Sequence, residues 1–189
     1  LIRTDSMGDT LWTRTYGSSG WDMGYSVKQL GGGGFIIAGE TSATSDLTGT
    51  DVFLIRTDAM GDTLWTRSYG GMHDDVGRSI ALTHDGGYII AGGTSSYGNG
   101  KMDVYVIKTD SQGDTLWTYV RGGNQDDIAN KVIQVADTGY VMLGTHESWG
   151  LGGKDLYFLK LDKSGNMVRE DSWGTIQDDE GMDIQEMPD

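Results

Sequence analysis

Residues 54–70 have the sequence LIRTDAMGDTLWTRSYG, and closely related stretches begin at Leu1, Val106 and Phe158. The four starting points are 53, 52 and 52 residues apart. A unit repeated at this distance is one supersecondary element that buries its apolar face only by stacking on its neighbours. The repeat therefore predicts an architecture of similar stacked units, and it does not by itself predict a reaction.

The composition favours strands over helices. The 189 residues include 31 glycines and one proline, which is typical of many short strands joined by tight turns. The formal net charge of −14 disfavours nucleic acid and anionic membrane surfaces as partners, because both attract basic proteins. No run of about 18 apolar residues occurs, so no membrane-inserted helix is predicted. The chain has no cysteine, so its redox compartment cannot be deduced.

Each repeat carries four strand patterns, A to D, which are separated by turn residues. In the second repeat, strand A is predicted over 77–83 and strand B over 88–94, and strands C and D begin at Asp103 and Thr115. Strand B is apolar on both faces in every repeat, as in a strand that is covered on both sides. Four antiparallel strands in a unit of about 52 residues describe one blade of a β-propeller. The predicted fold is therefore all-β, a β-propeller segment of four-stranded antiparallel blades, with a β-solenoid as the alternative.

The C-to-D segment contains the pattern D-x-x-G-x-x-L-W, which resembles the tryptophan-docking motif of quinoprotein-type propellers. Its tryptophans are Trp12, Trp65 and Trp117, whereas the fourth copy departs from the pattern with Met167 and Val168. The blocks DVYVIKTD, GDTLWT and DGGYIIAG also resemble a mostly uncharacterised family of secreted bacterial and archaeal propeller repeats, found in large surface proteins. That resemblance covers nearly the whole chain. It implies a propeller and an extracellular or cell-surface location, and it brings no catalytic residue with it.

The register of the repeat divides the chain into blades. Three complete blades are predicted over residues 18–70, 71–122 and 123–174, with strands C and D of a preceding blade over 1–17 and strand A of a following blade over 175–189. In this register the chain begins and ends inside a blade. We therefore expect it to be an internal segment of a longer array.

Propeller topology places the connections of each blade on two faces. The A-to-B and C-to-D turns share one face, and the B-to-C loops share the other with the D-to-A connections. We call the second one the loop face, and we expect any ligand there because its segments are longer and more varied. Aromatic rings could stack on a glycan or a protein, although covering a neighbouring turn is their commoner role. The candidate ligand-binding residues are Trp21, Tyr97, Trp149 and His73.

Adjacent acidic residues recur in the D-to-A connections. Carboxylates beside glycine-rich loops could supply the hard oxygen ligands that calcium prefers, but their spacing does not match an EF-hand loop. Capping of turns, or pairing with the basic residue of strand C, is the favoured interpretation. The candidate calcium ligands are Asp74, Asp75, Asp126, Asp127, Asp178 and Asp179.

No sequence signature of a common catalytic site is present. The chain lacks the G-x-S-x-G, H-E-x-x-H and Walker patterns, and His73 beside Asp74 fits a solvated histidine better than an acid/base pair. The predicted function is a non-enzymatic secreted or cell-surface module for structure or interaction. Its predicted partner is an unknown protein or glycan. No cofactor is predicted, and calcium is the one candidate. Two alternatives stay open: a calcium-dependent propeller that binds or processes glycans, and a subunit of an extracellular ring or filament completed by strand addition between copies.

Overall fold

The computed structural model describes residues 1–42, 49–150 and 152–187, and every regular element in these ranges is a β-strand. No helix in this part of the chain is long and apolar enough to span a membrane. The strands of these ranges are β1 (Ile2–Thr4), β2 (Thr10–Thr13), β3 (Asp22–Gln29), β4 (Phe35–Ser42), β5 (Thr50–Thr57), β6 (Thr63–Tyr69), β7 (Asp75–Leu82), β8 (Tyr88–Thr94), β9 (Asp103–Thr109), β10 (Thr115–Arg121), β11 (Asp127–Gln134), β12 (Tyr140–His146), β13 (Asp155–Leu161) and β14 (Met167–Trp173).

The strands form one two-stranded sheet and three four-stranded antiparallel sheets. Sheet 1 is β1-β2, sheet 2 is β3-β4-β5-β6, sheet 3 is β7-β8-β9-β10 and sheet 4 is β11-β12-β13-β14. The predicted all-β class with four-stranded antiparallel units is therefore confirmed. Sheets 2, 3 and 4 stack on one another through their first strands, and the described residues do not close into a ring.

The apolar core lies at the two junctions between the four-stranded sheets. Strands β8 and β12 are buried along their whole length, as their two-sided apolar sequence predicts. The buried residues between sheets 2 and 3 are Ile36, Ala38, Val52, Leu54, Ile80, Tyr88, Ile90, Tyr105 and Ile107. Those between sheets 3 and 4 are Ile89, Ala91, Val104, Val106, Ala129, Val132, Tyr140, Met142, Tyr157, Leu159 and Leu161.

A tryptophan on the fourth strand of one sheet packs on the next sheet. The Trp65 ring lies 6.3 Å from the Tyr88 ring and against Gly113, where an added Cβ would come within 3.0 Å of the indole carbons. Gly113 has a φ of +81°, so both the turn and the ring contact require glycine. Trp12 and Trp117 pack against Gly61 and Gly165 in the same way. The repeated tryptophans therefore join consecutive sheets.

The fourth copy of the repeat departs from the sequence interpretation by one residue. The β13–β14 ladder pairs Arg169 with Lys160, as the β9–β10 ladder pairs Trp117 with Lys108. Val168 and Arg169, rather than Met167 and Val168, therefore hold the positions of the leucine and tryptophan. The docking tryptophan is replaced by an arginine in this copy.

Residues 175–187 form no strand, in contrast to the strand A that the sequence predicts over 175–189. The segment does contact sheet 4, because the amide of Gly181 donates to the carbonyl of Gly144 over 3.3 Å. A strand needs a hydrogen-bonded neighbour along its length, and the described residues contain no strand B for this segment. Residues 188 and 189 lie outside the described residues.

The basic residue of the third strand pairs with the A-to-B turn rather than with the acidic connections. The Lys108 side chain is only 2% exposed, and its Nζ lies 3.0 Å from the Asp85 carboxylate. Lys160 pairs with Asp137 in the same way. These turn aspartates, and not the candidate calcium ligands, are therefore the partners of the two lysines. In sheet 2 a glycine, Gly32, stands where the aspartate would be.

We expect Gly32→Asp to raise the free energy of unfolding by about 0.5–1 kcal/mol. An added Cβ at Gly32 meets no atom within 4 Å, and the new carboxylate can pair with Arg56 as Asp85 pairs with Lys108. Thermal unfolding at low and high salt measures the gain, which should shrink in high salt. Gly31→Asp is the matched control, because Gly31 is equally open but lies one residue out of register. Equal effects of the two changes would contradict the pairing.

Candidate functional site

The loop face is continuous where two sheets meet. The B-to-C loop of a sheet hydrogen-bonds with the D-to-A connection that enters the same sheet from the preceding one. The amide of His73 donates to the Ser96 hydroxyl over 3.0 Å, and that hydroxyl donates to the His73 carbonyl over 3.1 Å. At the next junction the amide of Gln125 donates to Ser148 Oγ over 3.1 Å. A repeated serine therefore fixes the two kinds of loop side by side.

The second residue of each acidic pair closes the connection in which it lies. Asp127 is 0% exposed, and its Oδ2 accepts from the Gly123 amide over 2.8 Å and from the Ser148 hydroxyl over 2.5 Å. Its Oδ1 accepts from the amides of Glu147 and Ser148 over 3.1 Å and 3.3 Å. Four donors on one carboxylate fix the connection firmly to the neighbouring loop. Asp75 and Asp179 accept from the amides of Gly71 and Thr175 at the same spacing.

The first residue of each pair points to the preceding sheet. Asp74, Asp126 and Asp178 accept from the amides of Thr50, Met102 and Lys154 over 3.0, 3.2 and 3.0 Å. They therefore cap the entry to β5, β9 and β13, which is the capping role that the sequence favours. No group of three or more His, Cys, Asp or Glu side chains in the described ranges is arranged so that it could hold a metal ion. Calcium binding by the six aspartates stays a prediction.

The loop aromatics belong to successive junctions and do not form one site. Tyr97 is 44% exposed, but its hydroxyl donates to the Gly70 carbonyl over 2.6 Å, so it covers a neighbouring turn. The Trp149 ring stacks on His146 with 4.6 Å between centroids, and the Arg121 guanidinium lies 5.3 Å from it. The structure thus engages Trp149 with protein groups. Trp21 is 65% exposed and offers the most open aromatic surface of the three.

The sequence interpretation did not identify a network of unrepeated residues between sheets 3 and 4. Glu170 accepts from the Arg121 guanidinium over 2.8 and 2.9 Å and from the Tyr157 hydroxyl over 2.6 Å. The hydrogen bond from Arg121 is the main cause of a Glu170 pKa below its usual range. His146 lies beside this network, and its Nε2 is 2.6 Å from the Ser172 hydroxyl. A position-by-position comparison of the repeats would have marked His146 as unrepeated, because Thr94 occupies the equivalent position in sheet 3.

We expect His146 to make the protein less stable in mild acid. Burial lowers the pKa of His146 below its ordinary value, against the opposing charges of Asp127, Asp155 and Glu170. The unfolded chain then binds the proton more tightly than the folded one, so the free energy of unfolding falls as pH drops below about 6.5. His146→Thr, which restores the residue of sheet 3, should lose this fall. Melting temperatures at neutral and mildly acidic pH measure it.

His73→Thr is the control for this measurement, because His73 is exposed. The acidic groups remote from His146 are common to all three proteins, so the difference between the proteins reports His146 and the charges beside it. An acid-induced fall that persists unchanged in His146→Thr would contradict the assignment.

The fold and its loop face define an all-β repeat protein of stacked antiparallel sheets. No protein-family model matches the chain. It is similar to regulatory protein FlaEY of Caulobacter vibrioides, with 27% identity over 161 residues that cover 71% of this chain and 17% of FlaEY. It is also similar to the crystal structure of Sqt1 from Chaetomium thermophilum, with a TM-score of 0.44 and 13% identity over 80% of this chain and 36% of Sqt1. The chain thus spans only a small part of FlaEY, and these similarities do not define its family.

Proposed function

We propose that the protein is a non-enzymatic interaction module, built as a β-propeller segment, that works outside the cell or at the cell surface. The observation that carries this proposal is that the repeated residues and the variable loops have different roles. The repeated aspartates and tryptophans are used for caps and for contacts between sheets, as at Asp127 and Trp65. The loops that differ between repeats stand side by side on one face, which is where recognition is expected.

The packing of the first strands supports the propeller. Strand β7 contacts β3, β4 and β5, and β11 contacts β7, β8 and β9. First strands that lie close together, with the fourth strands farther out, are arranged like the blades of a propeller around its centre. A role in binding also agrees with the regulatory function named for FlaEY, to which part of the chain is similar.

A binding screen with a turnover readout tests the proposal. The purified protein is applied to a panel of polysaccharides and candidate cell-surface proteins, with and without calcium, and both retention and product release are measured. We expect retention without turnover. Release of product from any glycan would contradict the non-enzymatic role and would favour the glycan-processing alternative, whereas retention that depends on calcium would favour a lectin-like module.

A matched pair of variants locates the binding surface. Trp21→Ala removes a ring that is 65% exposed on the loop face, and Met7→Ala removes a side chain that is 85% exposed in a C-to-D turn. Trp21→Ala should weaken binding several-fold at unchanged melting temperature, because the ring makes no large contribution to the core. Met7→Ala should leave binding intact. The reverse order of effects would move the binding surface to the other face.

The ring or filament alternative would join copies through the hydrogen-bonding groups at the open edges of their sheets. Light scattering across protein concentration tests this alternative, and a monomer at all concentrations would exclude it.

The proposed location is tested on cells of the source organism. An antibody against the protein should label intact cells or the culture medium. Labelling that appears only after the cells are permeabilised would contradict a surface or secreted location.

A further inference from the structure

Asp51 lies near the start of β5 and Asp103 at the start of β9, and the caps formed by the acidic pairs do not explain these two aspartates. Asp103 is 0% exposed, and its Oδ2 accepts from the Asn99 amide over 2.6 Å. Its Oδ1 is buried and accepts no hydrogen bond within the described residues. A Cβ added to Gly122 would lie 1.8 Å from this Oδ1 and 2.8 Å from Asp127 Oδ2. The unpartnered oxygen of Asp103 and Oδ2 of Asp127 therefore both lie against Gly122, close to each other.

A related pair of carboxylates lies one junction earlier, where the buried unpartnered oxygen belongs to the connection residue, Asp75, instead of to the third strand. A Cβ added to Gly70 would lie 2.0 Å from Asp51 Oδ1 and 2.6 Å from Asp75 Oδ2. Asp75 is 0% exposed, and its Oδ1 is buried without a hydrogen-bond partner among the residues that the structure describes. We call Asp51 with Asp75, and Asp103 with Asp127, the junction carboxylates.

Two carboxylates that face each other in a buried place repel each other unless a positive charge lies between them. No lysine or arginine hydrogen-bonds to these four carboxylates in the described part of the chain. The fold thus concentrates negative charge at each junction.

We propose that each pair of junction carboxylates binds one calcium ion, so that the chain holds one ion between sheets 2 and 3 and another between sheets 3 and 4. Calcium takes six to eight oxygen ligands in flexible geometry, and carboxylates, backbone carbonyls and water supply them. Each site draws its carboxylates from two sheets, instead of from neighbours in sequence such as Asp74 and Asp75. The hydrogen bonds from the amides of Gly71 and Gly123 hold the carboxylates of Asp75 and Asp127 in a fixed orientation.

The consequence of such an ion is a rigid loop face. Asp103 begins a third strand and is tied to the B-to-C loop through the Asn99 amide, and Asp127 holds the connection that enters the next sheet through the Gly123 amide. An ion between them joins the loops of two sheets at one point. Ordering these loops in advance lowers the entropic cost of binding a partner.

Titration with calcium chloride tests the proposal. Isothermal calorimetry should show two ions per wild-type chain, one in either Asp51→Asn or Asp103→Asn, and none in the double variant. About 1 mM calcium, a concentration typical for extracellular sites, should raise the melting temperature of the wild type above its value in EDTA. Asp74→Asn and Asp126→Asn are the matched controls, and they should keep both ions.

Two results would overturn the proposal. The first is a wild-type protein that takes up no calcium and melts at the same temperature with calcium and with EDTA. The second is an Asp103→Asn variant that melts higher than the wild type in EDTA and in calcium alike, which would mean that the pair shares a proton instead of an ion. The wild-type comparison decides the question even if a variant fails to fold. Neither result affects the proposed interaction role, because partner binding is measured separately.

Discussion

Replacing Trp117 by alanine is expected to lower the free energy of unfolding by about 3 kcal/mol. This value is at the low end for the loss of a large aromatic side chain, because the Trp117 ring is only partly buried. The Trp117 ring lies 5.8 Å from the Tyr140 ring in the next sheet and packs on the edge of the core between sheets 3 and 4. Without it, the fourth strand of sheet 3 loses an apolar contact with sheet 4 and keeps the ion pair of Arg121 with Glu170. Denaturation in urea, followed by far-ultraviolet circular dichroism, measures the loss.

Leu116→Ala is the matched control for this prediction. Leu116 is the preceding residue of the same strand and is 57% exposed, so its loss should cost less than about 0.5 kcal/mol. A similar cost for the two changes would contradict the role of the tryptophan in joining the sheets.

The second large effect is expected for Asp127→Ala, which should cost about 3 kcal/mol in EDTA. The change leaves the amides of Gly123 and Ser148 and the hydroxyl of Ser148 without their acceptor. Each buried donor that loses its partner costs about 1–3 kcal/mol, and relaxation of the loop towards water reduces the sum. Chemical denaturation gives the total, and hydrogen exchange should show faster exchange at the freed amides.

Asp126→Ala provides the comparison within the same acidic pair. Asp126 accepts from one amide, that of Met102, and its side chain is 51% exposed in its ion pair with Lys101. We expect a cost below about 1 kcal/mol. Equal costs at the two positions would show that the buried bonds of Asp127 contribute little.

The strands were predictable because their signals are local. Alternation, glycine at the turns and the spacing of the repeat place β7 to β10 where the sequence predicts strands A to D. The tryptophan contacts were predictable too, because one ring per unit on an outer strand must pack on a neighbouring unit. The missing strand over 175–187 shows the limit of such signals, because a strand forms only with a partner beside it.

The side-chain partners could be predicted less well, because they depend on which residues the folded units bring together. Lys108 pairs with Asp85 across a turn, although the acidic connections offered more carboxylates in sequence. Trp149 lies in a B-to-C loop, where ligand binding is expected, but its ring stacks on His146 and lies under the Arg121 guanidinium. The capping role of the acidic pairs was favoured correctly, because the bonds to their own connections span only four residues, as from Gly123 to Asp127.

Each tryptophan joins only two neighbouring sheets, and this has a consequence for the evolution of the repeat array. In the sheet that follows, Trp65 contacts the glycine turn and Tyr88, and Trp117 repeats these contacts one sheet later with Gly165 and Tyr140. Deleting or duplicating a whole unit of about 52 residues would therefore join the same two surfaces again and create no new kind of interface. Recombination between copies could lengthen or shorten the array while each loop diverges by itself.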